Sequence, residues 1–296
     1  MKKSKIKKLI VPMAGLGTRF LPTSTAYPKE MAYLVDRPVL QYLVEEAYES
    51  GIEEIIFIIN SGKESIPRYL SKNHHDIYSK KAFGNKEDET HEYREFKKLL
   101  GKMKFRFIKR QKTLGDGHSI LLAKKYIKPN EVFAVSMGDL LGFGDKPFIQ
   151  QLIEVFEDKK RPVISVEEVS LEATSRFGVV DIKKSNKRLH EVRSIIEKPG
   201  PKLAPSRLVL TGKYILTPDI FVCLESLVKS HASGEVRLAD ALSMYAEKNG
   251  MLAYQCIGEI QDTGNKLDFI KTMIKLSLEH KTLGKQIRKY LKSINI

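Results

Sequence analysis

Short apolar runs, broken by charges or glycine, recur along this chain, and their spacing sorts them into strands and helices. Lys8 to Pro12 reads as a short buried strand, followed by the Gly-rich segment Ala14 to Arg19. From Pro38 to Ser50 the apolar positions Val39, Leu40, Leu43, Val44 and Ala47 keep helical spacing, and Gly51 stops the helix. Ile55 to Ile59 is apolar throughout, as a strand covered on both faces requires. The order strand, long loop, helix, strand is that of a βαβ unit.

The pattern continues with a strand over Phe105 to Lys109, a helix over Ser119 to Tyr126 and a buried strand from Val132 to Met137 that runs into Gly138-Asp139. A helix over Phe148 to Glu157 and strands over Pro162 to Val169 and Gly178 to Ile182 follow. Leu189 to Ile196, Leu208 to Leu216 and Met251 to Ile257 are strand-like, mixed with helices near Ile220 to Val228, Leu238 to Glu247 and Lys266 to Glu279. The segment His74 to Lys102 is highly charged and poor in β-branched residues, and reads as a helical surface insertion. A lysine-rich helix follows Gly284. The expected architecture is α/β: a doubly wound, mostly parallel sheet with a smaller α+β portion at the C-terminal end. Residues 1–280 form one domain in this reading, and 281–296 a basic tail helix.

Composition narrows the class. At 296 residues and 42% hydrophobic, the chain has enough apolar material for a large core. No apolar run approaches the ~20 residues of a membrane helix. Met1 to Lys8 and the run after it mimic a secretory signal, but Pro12 and Arg19 and the lack of a small-residue cleavage pattern favour a strand and its loop. Cys223 and Cys256 are far apart and form no CxxC pair, which suggests a reducing cytoplasm. The net charge of +15 favours anionic partners, although a lysine-rich solvated surface accounts for most of the excess. Aromatic-basic strips of RNA-binding modules are lacking, so nucleic acid is not expected as a partner, and with apolar runs this short neither is a membrane.

Several segments carry candidate chemistry. Ala14-Gly15-Leu16-Gly17-Thr18-Arg19 directly follows a strand, where glycines let backbone N–H groups approach a phosphate. A Rossmann fingerprint needs a third glycine where Phe20 stands, and a Walker A loop needs Gly-Lys-Ser/Thr. Lys29, in the same loop, and Arg19 would place two cations beside that backbone. Asp139 ends a buried strand and suits Mg²⁺, which takes one or two carboxylates plus substrate phosphates. Asp262 precedes a helix, where the plainer role is an N-cap. Glu197-Lys198-Pro199 closes a strand and reads equally as a salt bridge, and Gly178 as a bulge or a close approach to ligand.

Taken together, the strings VPMAGLGTRFLPTSTAYPKEM, LVDRPVLQYLVEEA, RQKTLGDGHSILLA, FAVSMGDLL, SRFGVVDI, IIEKP, APSRLVLTGKYILTPDIF, SGEVRLADAL and QDTGNKLDFIKTMI occur in an order that resembles the bacterial UTP–glucose-1-phosphate uridylyltransferases. The resemblance covers roughly Lys7 to Glu279. It implies a Rossmann-like nucleotide-diphospho-sugar transferase fold and Mg²⁺-dependent in-line nucleotidyl transfer from UTP to glucose-1-phosphate by a cytoplasmic homo-oligomer, dimer or tetramer. By the same resemblance Ala14, Gly15, Gln111 and Gly115 read the uracil, with Gly17 in the same binding loop. Arg19 and Lys29 hold the triphosphate, Asp139 and Asp262 bind Mg²⁺, and Gly178, Glu197 and Lys198 contact the sugar phosphate. Glu235 matches a family acid without an assigned role.

Pro28-Lys29-Glu30 stands where related thymidylyltransferases usually have Ser-Lys-Gln, which favours UTP. Departures from the pattern lie at Met137-Gly138-Asp139-Leu140, Asp116, Arg237 and Ala239, and concern the base and sugar pockets. The competing readings are a thymidylyltransferase, a uridylyltransferase for another hexose-1-phosphate, a catalytically inactive nucleotide-binding regulator, and a nucleic-acid-binding protein suggested by the charge.

Overall fold

The structure is a computed structural model and describes residues 5–83, 90–112, 114–230 and 234–294. Among these residues nine strands form one sheet, in the order Lys104–Lys109, Glu54–Ile59, Lys8–Pro12, Phe133–Ser136, Leu208–Leu216, Val163–Glu168, Met251–Gln255, Leu189–Glu197 and Gly178–Asn186. The first four are mutually parallel. Leu208–Leu216 runs antiparallel to both its neighbours, and Met251–Gln255 is parallel to Val163–Glu168. The last two strands are antiparallel. Parallel pairing thus belongs mainly to the N-terminal half, and the C-terminal α+β portion is continuous with it. Apolar patterning marks Leu208–Leu216 as a strand but says nothing of its neighbours. Its place in the middle of the sheet is a tertiary fact.

Helices cover both faces. Ile10, Ile56, Ile58 and Val135 point to one core, closed by the helices Gly115–Leu121, Ile220–Ser230 and Leu238–Asn249. Leu9, Val11, Ile55, Phe57 and Ile59 point to the other, closed by Val39–Glu49, His91–Leu100 and Phe148–Lys159. This is why Ile55 to Ile59 has no polar alternation: successive side chains enter opposite cores, and all five are buried.

Several elements differ from expectation. The segment read as a surface insertion forms helices Lys72–Phe83 and His91–Leu100, and the second buries Phe96, Leu99 and Leu100. Its apolar side is only three residues among many charges, so composition concealed a core-facing stripe. The helix expected from Ser119 begins at Gly115 and gives way to a 3₁₀ turn at Lys124–Tyr126. Glycine argues against a helix by propensity, but here the Gly117 amide donates to Val236 O at 3.0 Å. A two-stranded antiparallel ribbon, Leu140–Phe143 with Glu259–Asp262, was not foreseen, and it sets Asp262 opposite Leu140. The helix Gly284–Ser293 packs on Lys266–Glu279. Among the described residues no helix is long and apolar enough to cross a membrane.

Candidate functional site

The four parallel strands end at one edge of the sheet, where α/β folds place their ligands. The chain leaving Lys8–Pro12 enters the loop with Gly15, Gly17, Arg19 and Lys29. Leaving Phe133–Ser136 it reaches Asp139, and leaving Glu54–Ile59 it reaches Lys63. A cleft of about 560 Å³ opens there, lined by Gly15, Gly17, Arg19, Lys29, Asp116, Asp139, Glu197, Lys198, Glu235, Arg237 and Gly264 among others. Gly17 has φ 68°, which an L side chain rarely adopts. At Gly15 a Cβ would meet nothing within 4 Å, so that backbone lies open to the cleft.

Asp139 and Asp262 meet through the ribbon. The Thr263 amide and hydroxyl both donate to Asp139 O, each at 2.8 Å. A Cβ built on Gly264 would lie 2.6 Å from Asp139 Oδ2 and 3.1 Å from Asp262 Oδ1, so both carboxylates face one small space. Two converging hard oxygens fit a divalent cation such as Mg²⁺. The cap of the following helix is Asn265, whose side chain accepts from the Leu267 and Asp268 amides, and this frees Asp262 from the capping role.

Cations already accompany these acids. Lys29 Nζ lies 2.5 Å from Asp139 Oδ2, and Arg176 bridges Asp262 Oδ2 at 3.0 Å and Asp268 Oδ2 at 2.8 Å. Burial opposes ionisation of Asp139, but Lys29, with Arg19 farther off, outweighs it and holds the carboxyl below its ordinary range. Burial and the Asp139 charge push Asp262 up. Burial would discharge Lys29, yet Asp139, Glu30 and Asp262 keep its pKa raised. Two carboxylates driven apart in this way, in a cleft, mark a candidate functional site.

The Lys29 loop has a second tether: Glu30 is 1% exposed, and both its carboxylate oxygens accept from Lys63 Nζ at 2.8 Å. Across the cleft Glu197 and Lys198 pair at 3.2 Å, and the Lys198 amide donates to Phe177 O at 3.0 Å beside Gly178. A Cβ on Gly178 would stand 3.2 Å from Glu197 Oε2, so the glycine makes room for that carboxylate. The basic residues of the site are therefore not bare cations awaiting an anion: each of Lys29 and Lys198 has an acidic partner, and Arg19 donates to Gly264 O at 3.4 Å.

The sequence-predicted residues divide accordingly. Gly15, Gly17, Arg19, Lys29, Asp139, Glu197 and Lys198 share the cleft; Asp262 and Gly178 stand at its border. Ala14 is buried, and its carbonyl accepts from Arg110 at 3.3 Å. Gly115 (φ 92°) packs on the Val236 carbonyl, 2.3 Å from where a Cβ would be, rather than opening into the cleft. Gln111 is exposed and does not line the cleft. Sequence reasoning missed Arg176, Lys63 and Arg110, single basic residues whose partners are remote in the chain. Arg110 reaches Gly115 O, Ser119 Oγ and Ala14 O, so it ties the two glycine loops together. Asp116 accepts from the Gly117 and Leu238 amides at 2.8 and 3.0 Å.

A family model described as "Nucleotidyl transferase" matches residues 8–278. The chain belongs to the nucleotidyl transferase family. Among its relatives is the UTP–glucose-1-phosphate uridylyltransferase of Staphylococcus epidermidis, 38% identical over 299 residues and covering 99% of each chain. A solved UDP-glucose pyrophosphorylase from Acinetobacter baumannii superposes with a TM-score of 0.86 at 31% identity, over 98% of this chain and 99% of that one. A UDP-glucose pyrophosphorylase solved in complex with UDP-glucose gives 0.82 at 32% identity, over 93% and 100%.

Proposed function

We propose that this protein is a UTP–glucose-1-phosphate uridylyltransferase, forming UDP-glucose and pyrophosphate. The observation that carries the reading is the convergence of Asp139 and Asp262 on one space beside Lys29 and Arg19, under a glycine loop with an open backbone at Gly15. The names and the ligand of the relatives supply the substrate pair. In this reading 1–280 is one catalytic domain and 281–296 a tail, in a cytoplasmic homo-oligomer whose size light scattering measures.

A phosphate oxygen of the sugar phosphate attacks the α-phosphorus of UTP; the new P–O bond forms as the bond to the β-phosphate oxygen breaks, and pyrophosphate leaves. The attacking oxygen is already ionised at neutral pH, so no general base is needed, and the task is positioning and charge stabilisation. Mg²⁺, held by Asp139 and Asp262, would neutralise phosphate charge and orient the two phosphates. Lys29 and Arg19, as cations, offset the negative charge that builds on pyrophosphate. Lys198, oriented by Glu197, meets the sugar phosphate from the opposite wall. The Gly15 and Gly17 backbone accommodates the nucleotide, with Ala14 and Gly115 held by Arg110 behind it.

Asp116 and Arg237, which depart from the family pattern, both line the cleft, and that favours a second reading with another hexose-1-phosphate or dTTP. Pyrophosphate release with Mg²⁺, UTP and glucose-1-phosphate, against dTTP and galactose-1-phosphate as competitors, tests both. Release that requires UTP and glucose-1-phosphate is expected. Release with another pair moves the specificity, and no release with any pair points to an inactive nucleotide-binding regulator.

A further inference from the structure

Lys213 carries a charge at the centre of the sheet. Its side chain is 0% exposed, and its Nζ lies 2.8 Å from Glu46 Oε2, 3.1 Å from Ser136 Oγ and 3.1 Å from Leu140 O. Ser136 ends the strand Phe133–Ser136, and Leu140 begins the ribbon strand. Between them runs the turn Met137-Gly138-Asp139. One ammonium thus grips both ends of the turn that presents Asp139.

The local backbone is shaped for this grip. Strand Leu208–Leu216 shifts register between Leu210 and Tyr214, and Gly212 there takes φ 76°. The Met137 amide donates to Gly212 O at 2.8 Å, and a Cβ on Gly212 would strike Leu140 Cδ1 at 2.4 Å. Ser165 Oγ donates to Lys213 O and accepts the Lys213 amide, which fixes the residue's direction. On the far side, Glu46 Oε1 accepts the Ile149 amide at 3.2 Å and anchors the pair to a second helix.

A buried ion pair is weak evidence for stability, because desolvation offsets its attraction, and an apolar pair of like volume commonly does as well. An apolar pair could not donate to Leu140 O and Ser136 Oγ. We propose that Lys213 is a positioning residue: its ammonium sets the Met137–Leu140 turn and so holds Asp139 where the metal-bound reaction needs it. The proposal rests on the role given to Asp139 above.

The test is Lys213→Met with Glu46→Gln, which removes both charges together. In the metal-free protein, hydrogen–deuterium exchange over 136–141 should quicken about tenfold while Glu54–Ile59 keeps its protection. The Mg²⁺ concentration for half-maximal pyrophosphate release should rise about tenfold, the range seen when the groups that orient a metal ligand are lost. Lys213→Arg, which keeps a cationic donor, should restore both. A folded double variant with unchanged exchange over 136–141 and unchanged metal dependence would overturn the proposal. If the double variant does not fold, Ser136→Ala removes the Lys213 contact at one end of the turn, together with the Ser136 hydroxyl's own bond to Met137 O at 3.3 Å, and should still quicken exchange over 137–140; no change there overturns the proposal equally. An inactive wild type would sink the functional reading, and the exchange comparison, made without metal or substrate, would still decide whether Lys213 holds the turn.

Discussion

Replacing Gly264 by alanine puts a methyl group between the two carboxylates on which the proposed metal site depends. The new Cβ would stand 2.6 Å from Asp139 Oδ2 and 3.1 Å from Asp262 Oδ1, where ordinary contact begins at 3.4 Å. Asp139 Oδ2 must therefore retreat by nearly an ångström, and Lys29 Nζ, 2.5 Å from it, must follow. A misplacement of about 1 Å costs on the order of 100-fold in rate, equivalent to roughly 2.7 kcal/mol of transition-state stabilisation. Gly264 is not in the left-handed region, so alanine brings no backbone strain. At such a site Gly→Ala contributes about 0.4–1 kcal/mol of stability through the unfolded chain, enough to offset part of the crowding. The expected result is a melting temperature close to wild type with turnover down about 100-fold at saturating UTP and a higher Mg²⁺ requirement. Pyrophosphate release across a Mg²⁺ series, beside a thermal melt, measures both. Turnover within about threefold of wild type at unchanged Mg²⁺ dependence would refute the reasoning, since a ligand displaced by about 1 Å should cost on the order of 100-fold.

Asp139→Asn and Asp262→Asn should each lower turnover by orders of magnitude with the fold intact; near-normal turnover of both, read by the same assay, sinks the metal assignment. Asp116→Asn should stabilise the protein at pH 7.5. Burial, with Glu197 near, holds the Asp116 carboxyl above its ordinary range, so its contribution is fully present only below the ordinary carboxylate value and is lost as pH rises through the raised one. Asn can still accept from Gly117 and Leu238, so the advantage over wild type should shrink as the pH of a thermal melt is lowered to 5, and an advantage that grows on acidification contradicts the assignment. Glu30→Ala strands the Lys63 ammonium, whose side chain is 6% exposed. Breaking such a pair costs about 3–5 kcal/mol, a fall on the order of 10 °C in melting temperature. Adding Lys63→Ala should recover part of it, and two single losses that merely add would show that the ion pair is not the cause.

Much was legible because it is written in local chemistry. The ranges Lys8–Pro12, Leu208–Leu216 and Lys266–Glu279 coincide with expectation, since alternation, helical spacing and glycine stops are properties of a few neighbouring residues. The Gly15–Gly17 loop, Lys29 and Asp139 were also readable as candidates, each following a strand that had to end at the sheet's ligand-bearing edge. Their roles, however, came from the resemblance, because a lone Gly-x-Gly or Asp has plainer explanations.

What the chain by itself determined is thus the alternation of strands and helices, the two-sided burial of Ile55–Ile59, and the residue types available for phosphate and metal at the ends of particular strands. Tertiary structure alone decided which of them meet. Asp262 reads as an ordinary cap until the ribbon with Leu140–Phe143 brings it to Asp139 and Asn265 takes over the capping. Lys63 and Glu30, 33 positions apart, and Lys213 and Leu140, 73 apart, carry no sequence signal of each other. A charge can be buried only where its partner is already placed, and that placement is a property of sheet order and register, which periodicity along a chain does not record.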